Sequence, residues 1–313
     1  MDVDSGLVPR SFEYLTAEIA RRDATRPGSR HVLRASYMEL YNEQVRDLLN
    51  PAAADLAVRQ RAAAGGVGTS FFVQGLTVVT CDSAADLHLL AREGHKNRSV
   101  ASHNMNEHSS RSHSILTVYV ESRSDSNSDG IDENGDEDDA AGAGSSGSNG
   151  NKAQWVRYGK ISFIDLAGSE TMKGSGIAGG EHLKEMNSIN KSLFTLGMVI
   201  STLGDISVGR KPAGTFIPYR NSKLTMLLAD SLGGNSLAMM VACVSPIAAS
   251  IEETRRTLVY AATTRSIKNR PEAVVDPRTR LLWKFREECA RLRSENAVLR
   301  NLLTDSGIAL PST

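Results

Sequence analysis

The sequence has few cysteines and no long hydrophobic run. Its cysteines are Cys81, Cys243 and Cys289. An odd number at wide, motif-free spacings supports neither a disulfide framework nor a zinc site, so we expect inert thiols in a reduced intracellular protein. The longest apolar run, 237–244, is far too short to cross a bilayer, and Asp2 and Asp4 stand where a secretory signal would be basic and then apolar. We therefore expect neither membrane insertion nor secretion.

The sequence also has no excess of charge, because 36 basic residues balance 36 acidic ones. The charges are unevenly distributed along the chain: residues 122–152 contain eight acids and two bases, so the rest of the chain has six more bases than acids. A mildly basic body suits an acidic partner surface, although a merely solvated basic surface explains the charge equally well. Residues 122–152 are rich in Ser, Gly, Asn and Asp with almost no apolar side chains, and are predicted to form a disordered loop.

Outside that loop, helix and strand patterns alternate along the chain. Apolar spacing and capping signals predict helices around 12–19, from Ser83 to near Gly94, and over 189–203, 223–232 and 250–264. Apolar runs predict strands at 32–41, 114–121, 155–165 and 237–244. The second and third strands bracket the acidic loop, which makes the loop the tip of a hairpin. Such alternation predicts an α/β fold with a mostly parallel sheet and helices on both faces.

Two polar segments contain the candidate chemistry. Residues 106–113 read Asn-Glu-His-Ser-Ser-Arg-Ser-His before a predicted strand, where small hydroxyls beside an arginine can reach a metal-bound phosphate. Residues 165–170 read Asp-Leu-Ala-Gly-Ser-Glu at the end of another strand. There a carboxylate can hold the water shell of Mg²⁺, and a glycine N–H can face a γ-phosphate. Taken singly, each pattern is also typical of an ordinary turn or cap.

Together and in this order, the two segments resemble the switch I and switch II pair of kinesins and myosins, and their full forms resemble kinesin. Further stretches resemble kinesin motor sequence in the family's order: 36–49, 97–101, 187–203, 217–225, 230–235 and 267–269. The resemblance covers about residues 5–270 apart from the acidic insert. It implies a kinesin/myosin-type P-loop NTPase sheet with helices on both faces.

Carried over residue by residue, the resemblance implies a site for ATP and Mg²⁺. Ser110 would be a metal ligand, Asp165 would support the metal's water shell, and Gly168 would sense the γ-phosphate. Arg111 and Glu170 would form the salt bridge that closes the two switches. The other implied site residues are Ser109 and Asn106, close to the phosphates and the attacking water, and Asn190, at the start of the switch II helix.

The resemblance also implies a region that meets tubulin, containing Tyr219, Arg220 and Lys223. On charge alone, the two cations are better explained as a solvated basic face. The positions that depart from the family pattern are Asn187, Asn221 and Met226, where related motors often carry Lys, Asp and Arg. The loss of basic groups predicts weaker electrostatic attraction to microtubules. Tubulin would repel the acidic insert, which is expected to lie away from this face.

The sequence lacks a G-x-x-x-x-G-K-[ST] phosphate-binding loop. Its only Gly-Lys pair is Gly159-Lys160, followed by Ile161 inside a predicted strand. In the family this loop lies just upstream of a segment that resembles residues 6–19. We therefore expect the sequence to begin after the P-loop and to lack the first strands of the sheet. Without that cradle for the phosphates, we expect the chain alone to bind ATP poorly.

After Pro271 the pattern changes to heptads. The core positions are Leu282, Phe285, Cys289, Leu292, Asn296, Leu299 and Leu303. This pattern predicts a short parallel coiled coil with Asn296 at an a position, and hence a homodimer; a single helix packed on the motor is the alternative. The predicted division is a partial motor domain at 1–270, a neck linker at 271–280, a neck helix at 281–304 and a disordered tail at 305–313.

Two classes of function remain open. The first is an N-terminal-motor type of kinesin, a microtubule-stimulated ATP hydrolase of the cytoplasm and microtubule cytoskeleton, with no nucleic-acid partner. The second is a degenerate binding module that holds microtubules and dimerises without hydrolysis. A small GTPase-like switch protein fits the D-x-x-G pattern but leaves 217–225 and the heptads unexplained.

Overall fold

The computed structural model describes most of the chain between residues 6 and 275. The described residues are 6–26, 28–53, 55–62, 69–103, 112–125, 154–168, 180–272 and 274–275, with 281, 285, 288–289, 291–296 and 298–300. The helices are α1 (Leu7–Thr25), α2 (Ala84–His103), α3 (Gly180–Ser207), α4 (Lys223–Leu227) and α5 (Ile251–Arg265). The strands are β1 (Ser29–Tyr41), β2 (Gln44–Asp47), β3 (Val58–Ala62), β4 (Thr69–Val73), β5 (Val79–Cys81), β6 (His113–Asp125), β7 (Gln154–Asp165) and β8 (Val274–Val275).

The main sheet has the order β2-β1-β6-β7-β8, with β5 paired to another stretch of β1, and β3 and β4 form a separate hairpin. Every strand pair among the described residues is antiparallel, so the expectation of a mostly parallel sheet is wrong for this part of the chain. Three of the pairs are hairpins between consecutive strands, β1–β2, β3–β4 and β6–β7, and of these the sequence predicted only β6–β7.

The sheet separates two apolar layers, as predicted. On one face Phe12 of α1 and Leu87 and Leu90 of α2 pack with Leu33, Ala35 and Tyr37 of β1. On the other face Leu196, Val199, Ile200 and Leu203 of α3 pack with Leu224 of α4 and with Met38 and Leu40 of β1. Side chains of β1 alternate between the layers because successive residues of a strand point to opposite faces.

Helix α2 begins as its capping signal predicts but does not end at Gly94. Ser83 and Asp86 exchange hydrogen bonds in a capping box, with Asp86 N donating to Ser83 Oγ at 3.2 Å and Ser83 N donating to Asp86 Oδ2 at 3.0 Å. The helix continues to His103. A Cβ at Gly94 would lie 2.1 Å from Cδ1 of Tyr37. This glycine therefore serves close packing of α2 on β1 rather than helix termination.

The predicted hairpin around the acidic insert is present. β6 and β7 pair continuously from Ser114 opposite Asp165 to Asp125 opposite Gln154. The insert therefore joins the two strands at the end of the sheet opposite to Asp165. The disorder predicted for residues 122–152 concerns positions that lie almost entirely outside the described residues.

Three smaller predictions differ from the structure. The segment 237–244 is not a strand: none of the described strands pairs with it, and Leu237 is 90% exposed. An apolar run signals a strand only where a neighbouring strand supplies hydrogen bonds. Helix α4 ends at Leu227 rather than at 232. Beyond it the chain continues in turns, in which both Ser231 N and Leu232 N donate to Leu228 O. The Ser250 side chain makes no capping hydrogen bond at the start of α5.

None of the described helices combines the length and the apolar character that crossing a membrane requires.

Candidate functional site

The first candidate site lies at one edge of the main sheet, where β6 begins and β7 ends. Ser114 pairs with Asp165 in the antiparallel register, so the chain enters β6 beside the point at which it leaves β7. His113, the last residue of the first polar segment, is therefore close to Asp165, the first residue of the second. Gly168 follows three residues later, outside the strand. This edge joins the two segments that the sequence singled out.

The carboxylate of Asp165 is exposed but held in position. Its side chain is 70% exposed, and its Oδ2 accepts a hydrogen bond from Arg98 Nη1 at 3.0 Å. An exposed carboxylate whose orientation is fixed by a cation can accept hydrogen bonds from the water shell of a hydrated Mg²⁺ ion. The position of Asp165 thus fits the predicted role.

Arg98 of α2 is the centre of this arrangement. The side chain is buried, and its guanidinium donates to Ser112 O at 3.0 Å and to Ser114 Oγ at 3.2 Å. Its Nε lies 3.7 Å from Glu39 Oε1 on β1. One cation therefore connects the ends of β1, β6 and β7. The sequence marked 97–101 only as a stretch that resembles kinesin, and no pattern showed that this arginine would be buried.

His113 connects the same edge to α3. The ring is 2% exposed; Ala167 N donates to its Nδ1 at 2.9 Å, and its Nε2 lies 2.9 Å from Ser192 Oγ. Because a backbone N–H can only donate, Nδ1 is the acceptor and Nε2 carries the proton that is donated to Ser192. Burial, together with the nearby Arg98 cation, lowers the pKa of His113 from 6.5 to about 4. The imidazole is therefore neutral at physiological pH.

Several predicted site residues lie outside the described residues. They are Asn106, Ser109, Ser110, Arg111 and Glu170. Asn190 falls within α3, but only its backbone belongs to the described part. The Arg111–Glu170 salt bridge thus stays a prediction. The structure brings together the described members, Asp165 and Gly168, and adds Arg98 and His113, which sequence reasoning did not assign to the site.

The second candidate site contains Tyr219, Arg220 and Lys223. The first two residues lie in the 3-10 turn Tyr219–Asn221, and Lys223 begins α4. Tyr219 is half-buried: its hydroxyl donates to Leu232 O, and burial raises its pKa to about 12. Arg220 is exposed and donates to Gln60 of β3. The Lys223 ammonium lies 3.3 Å from Asp55 Oδ1. Of the two cations, Arg220 is the more accessible.

An acidic side chain that the sequence did not single out lies beneath this region. Glu43 of the β1–β2 turn accepts a hydrogen bond from Ser222 Oγ at 2.6 Å and another from Lys223 N at 2.7 Å. Ser222 Oγ in turn accepts from Leu224 N at 3.2 Å as the N-cap of α4. Contacts 180 positions apart in the chain carry no local signal, so the pattern of the sequence could not reveal them.

Helix α3 packs against both candidate sites. Ser192 near its middle bonds His113 at the sheet edge, and the helix also contacts α4 and the Tyr219–Asn221 turn. A sheet with helices on both faces defines an α/β protein. A carboxylate and a glycine at one strand end are compatible with the nucleotide-switch class.

Comparison with known proteins identifies the family. A model described as the kinesin motor domain matches residues 1–267. The chain belongs to the kinesin motor domain family, which confirms the resemblance, and its likeness to solved kinesin structures confirms the α/β kinesin-type fold class that the resemblance implied.

Individual relatives agree with this assignment. The kinesin-like protein KIN-12E of Oryza sativa subsp. japonica is 40% identical over 268 residues, covering 85% of this chain and 12% of the relative. The kinesin-like protein KIF13A of Mus musculus is 40% identical over 293 residues, covering 93% of this chain and 15% of the relative. A solved structure of a KIF14 dimer with AMP-PNP in complex with a microtubule has a TM-score of 0.66 and 35% identity, covering 87% of this chain and 68% of that chain. The chain spans only a small part of the length of the curated relatives it matches.

Proposed function

We propose that this chain is part of a kinesin motor that couples ATP hydrolysis to movement along microtubules. The observation that carries the proposal is the match of the kinesin motor domain model to residues 1–267. The placement of Asp165 and Gly168 at an exposed sheet edge, and of basic residues on a second surface, is compatible with it. We place the protein in the cytoplasm, on the microtubule cytoskeleton.

The proposed nucleotide site takes its residues from both switch segments. Ser110 and, through water, Asp165 would hold Mg²⁺, and the N–H of Gly168 would face the γ-phosphate. Arg111 and Glu170 would close the switches, with Asn106, Ser109 and Asn190 nearby. When bound, Mg²⁺ supplies charge neutralisation on the phosphates. Arg98 holds the carboxylate of Asp165, and His113 accepts from the backbone N–H of Ala167 next to Gly168, so these two residues position the site rather than contact ATP.

The proposed microtubule surface contains Tyr219, Arg220 and Lys223. Arg220 offers an exposed guanidinium, which forms paired hydrogen bonds with carboxylates more readily than an ammonium does. The Lys223 ammonium is shared with Asp55. Tyr219 keeps the turn in place through its hydrogen bond to Leu232 O. An acidic protein surface is the partner that this arrangement suits.

Binding and turnover test the proposal separately. Purified protein is mixed with microtubules polymerised from tubulin, and the fraction that cosediments is measured over a range of salt concentrations; we expect binding that weakens as salt rises. An Arg220→Ala variant is expected to bind less tightly. Salt-independent or undetectable binding by the native chain would contradict a microtubule partner.

The second candidate function is a microtubule-binding module without hydrolysis. It describes a chain that binds microtubules without turning over ATP, and the 313 residues contain no G-x-x-x-x-G-K-[ST] element. Titration of the 313-residue chain with ATP and Mg²⁺ is expected to detect weak binding at most. Tight, Mg²⁺-dependent binding together with microtubule-stimulated phosphate release would instead identify the chain as a complete ATPase.

A further inference from the structure

The β1–β2 turn has an unusual backbone. Both of its residues, Asn42 and Glu43, have positive φ angles, 52° and 57°. Asparagine adopts this conformation readily, whereas a positive φ is uncommon for glutamate and costs on the order of 1 kcal/mol or more. Glycine or asparagine would satisfy such a turn better than glutamate does. A feature other than turn formation therefore accounts for a glutamate at this position.

The contacts of the Glu43 carboxylate explain why a glutamate occupies this position, because both of its oxygens accept hydrogen bonds at the start of α4. Oε1 accepts from Ser222 Oγ at 2.6 Å, and Oε2 accepts from Lys223 N at 2.7 Å. A carboxylate at the first turn of a helix satisfies backbone N–H groups that have no partner within the helix. Since α4 has only five residues, its direction depends strongly on how its first turn is held.

Two further residues contact the same segment, but only through its side chains. Asp55 holds the Lys223 ammonium at 3.3 Å and also accepts a hydrogen bond from Val45 N at 2.7 Å. Gln60 of β3 accepts from Arg220. The segment 219–223 therefore contacts three side chains, Glu43, Asp55 and Gln60. Of these, only Glu43 contacts the helix backbone.

We propose that Glu43 is a positioning residue for the microtubule surface: it fixes the first turn of α4, and thereby the direction in which Arg220 and Lys223 point. This inference rests on the proposed function, because it assumes that segment 219–223 meets the microtubule. For substitution of Glu43, a positioning role and the charge alone predict opposite changes in the strength of microtubule binding. Removal of an acid from a basic face would strengthen attraction to an acidic partner, whereas loss of a positioning contact weakens binding.

The test compares Glu43→Gln with Asp55→Asn in the 313-residue chain. Each variant removes one negative charge beside Lys223 and keeps the shape of the side chain. Microtubule dissociation constants are measured by cosedimentation, with thermal melting used to confirm that each variant is folded. We expect Glu43→Gln to bind roughly threefold to tenfold more weakly than the native chain, and Asp55→Asn to bind equally or more tightly. Glu43→Ala, which loses both hydrogen bonds, should be weaker than Glu43→Gln.

Glu43→Gln binding as tightly as the native chain, or more tightly, overturns the proposal. An equal loss in both variants overturns it as well, since the effect would then not depend on the contact with the helix backbone that only Glu43 makes.

Backbone hydrogen exchange provides an independent readout. The amides of residues 223–228 should lose protection in Glu43→Gln and keep it in Asp55→Asn. Unchanged exchange in Glu43→Gln contradicts the positioning role whatever the binding result. If the native chain fails to bind microtubules while this exchange pattern is seen, the proposed function is wrong and the support of α4 by Glu43 stands.

Discussion

His113 and Arg98 lie at the same edge of the sheet and are both buried, yet burial acts on them differently. An imidazole can lose its proton when it is buried, whereas a guanidinium keeps its charge and has to be surrounded by acceptors. Among the described residues, Asp165, Ser112 and Ser114 accept hydrogen bonds from Arg98. His113 instead becomes a neutral bridge with one donor and one acceptor. Both side chains join segments that are distant in the sequence, which makes this edge sensitive to single substitutions.

The neutral state of His113 predicts acid sensitivity. Its pKa is lowered to about 4 in the folded chain from 6.5, so the unfolded chain binds a proton between these values that the folded chain does not. The free energy of unfolding should be unaffected by this group above pH 6.5 and fall as the pH falls toward 4, by about 3 kcal/mol for a shift of this size.

Urea denaturation at several pH values between 7.5 and 4 measures this effect. His113→Gln cannot titrate in this range and should show a smaller decrease over the same interval, although it is less stable at neutral pH. An identical pH dependence in the native chain and the variant would exclude His113 as the source.

Substitution of Arg98 should be strongly destabilising. Arg98→Ala removes the cation from Asp165 and leaves the buried Ser114 hydroxyl and Ser112 carbonyl without this donor, and loss of one partner from such a buried network costs about 3–5 kcal/mol. Arg92→Ala on the same helix is the matched control, because Arg92 is exposed; its free energy of unfolding should change by less than about 0.5 kcal/mol. Chemical denaturation of the two variants gives both values. Equal stability of the two would contradict the network.

At the scale of elements, α3 is the structure that joins the two candidate sites. It receives a hydrogen bond from His113 at one point and packs against α4 and the Tyr219–Asn221 turn at others. A rigid helix transmits a displacement along its whole length, so a change at the sheet edge can reach α4 through a single element. The short α4 takes its direction from neighbours, from α3 on one side and from Glu43 on the other.

Substitution by alanine should have opposite effects at two helical glycines, Gly94 in α2 and Gly197 in α3. Gly94→Ala should destabilise by about 1–3 kcal/mol, because the new methyl group would collide with the Tyr37 ring. Gly197→Ala in α3 meets no atom within 4 Å and should stabilise by about 0.5–1 kcal/mol through helix propensity. Thermal and urea unfolding of both variants provide the comparison. Stabilisation by Gly94→Ala would show that Tyr37 can move aside at little cost.

Sequence patterns identified the elements whose signals are local. The spacing of Phe12, Leu15 and Ile19 marked α1, and the alternation in 114–121 and 155–165 marked a hairpin that the structure contains. Gly94 was misread because a glycine in a helix has two meanings, termination and close packing, and only the neighbouring Tyr37 distinguishes them. The segment 237–244 was misread because the hydrogen bonds of a strand come from another part of the chain.

Only some residues of the candidate site could be predicted from the sequence. Asp165 and Gly168 belong to a continuous motif and could be named from the sequence. Arg98 and Glu43 could not, since their partners are separated from them by 67 and by about 180 positions in the chain. Side chains that contact a ligand tend to occur within motifs, whereas the side chains that hold them in place are found only when the fold is known.

At the scale of the whole molecule, the predicted neck helix at 281–304 indicates how the chain assembles. The described residues in it are helical, and three of the predicted core positions are exposed in the single chain: Phe285 at 60%, Leu292 at 50% and Leu299 at 59%. Exposed apolar residues at heptad spacing suit a second copy of the same helix. We propose that they form the seam of a homodimer.

Analytical ultracentrifugation tests this assembly. The chain should form dimers at roughly tens of micromolar, as expected for a short coiled coil. Leu292→Lys should shift it to the monomer, since a charge at a core position is not tolerated. Arg291→Ala next to it, at an outer position, is the control and should leave the dimer intact. A monomer at all these concentrations would support the alternative, a single helix packed on the motor.

The length of the β6–β7 hairpin has a practical consequence. Eleven residue steps separate the pair Ser114–Asp165 from the pair Asp125–Gln154, a distance of about 37 Å at 3.4 Å per residue. Additional sequence at the hairpin tip is thus held far from the edge that carries Asp165. A fluorescent protein or an affinity tag spliced into 126–153 should be tolerated there, which makes this position a natural attachment point for single-molecule observation.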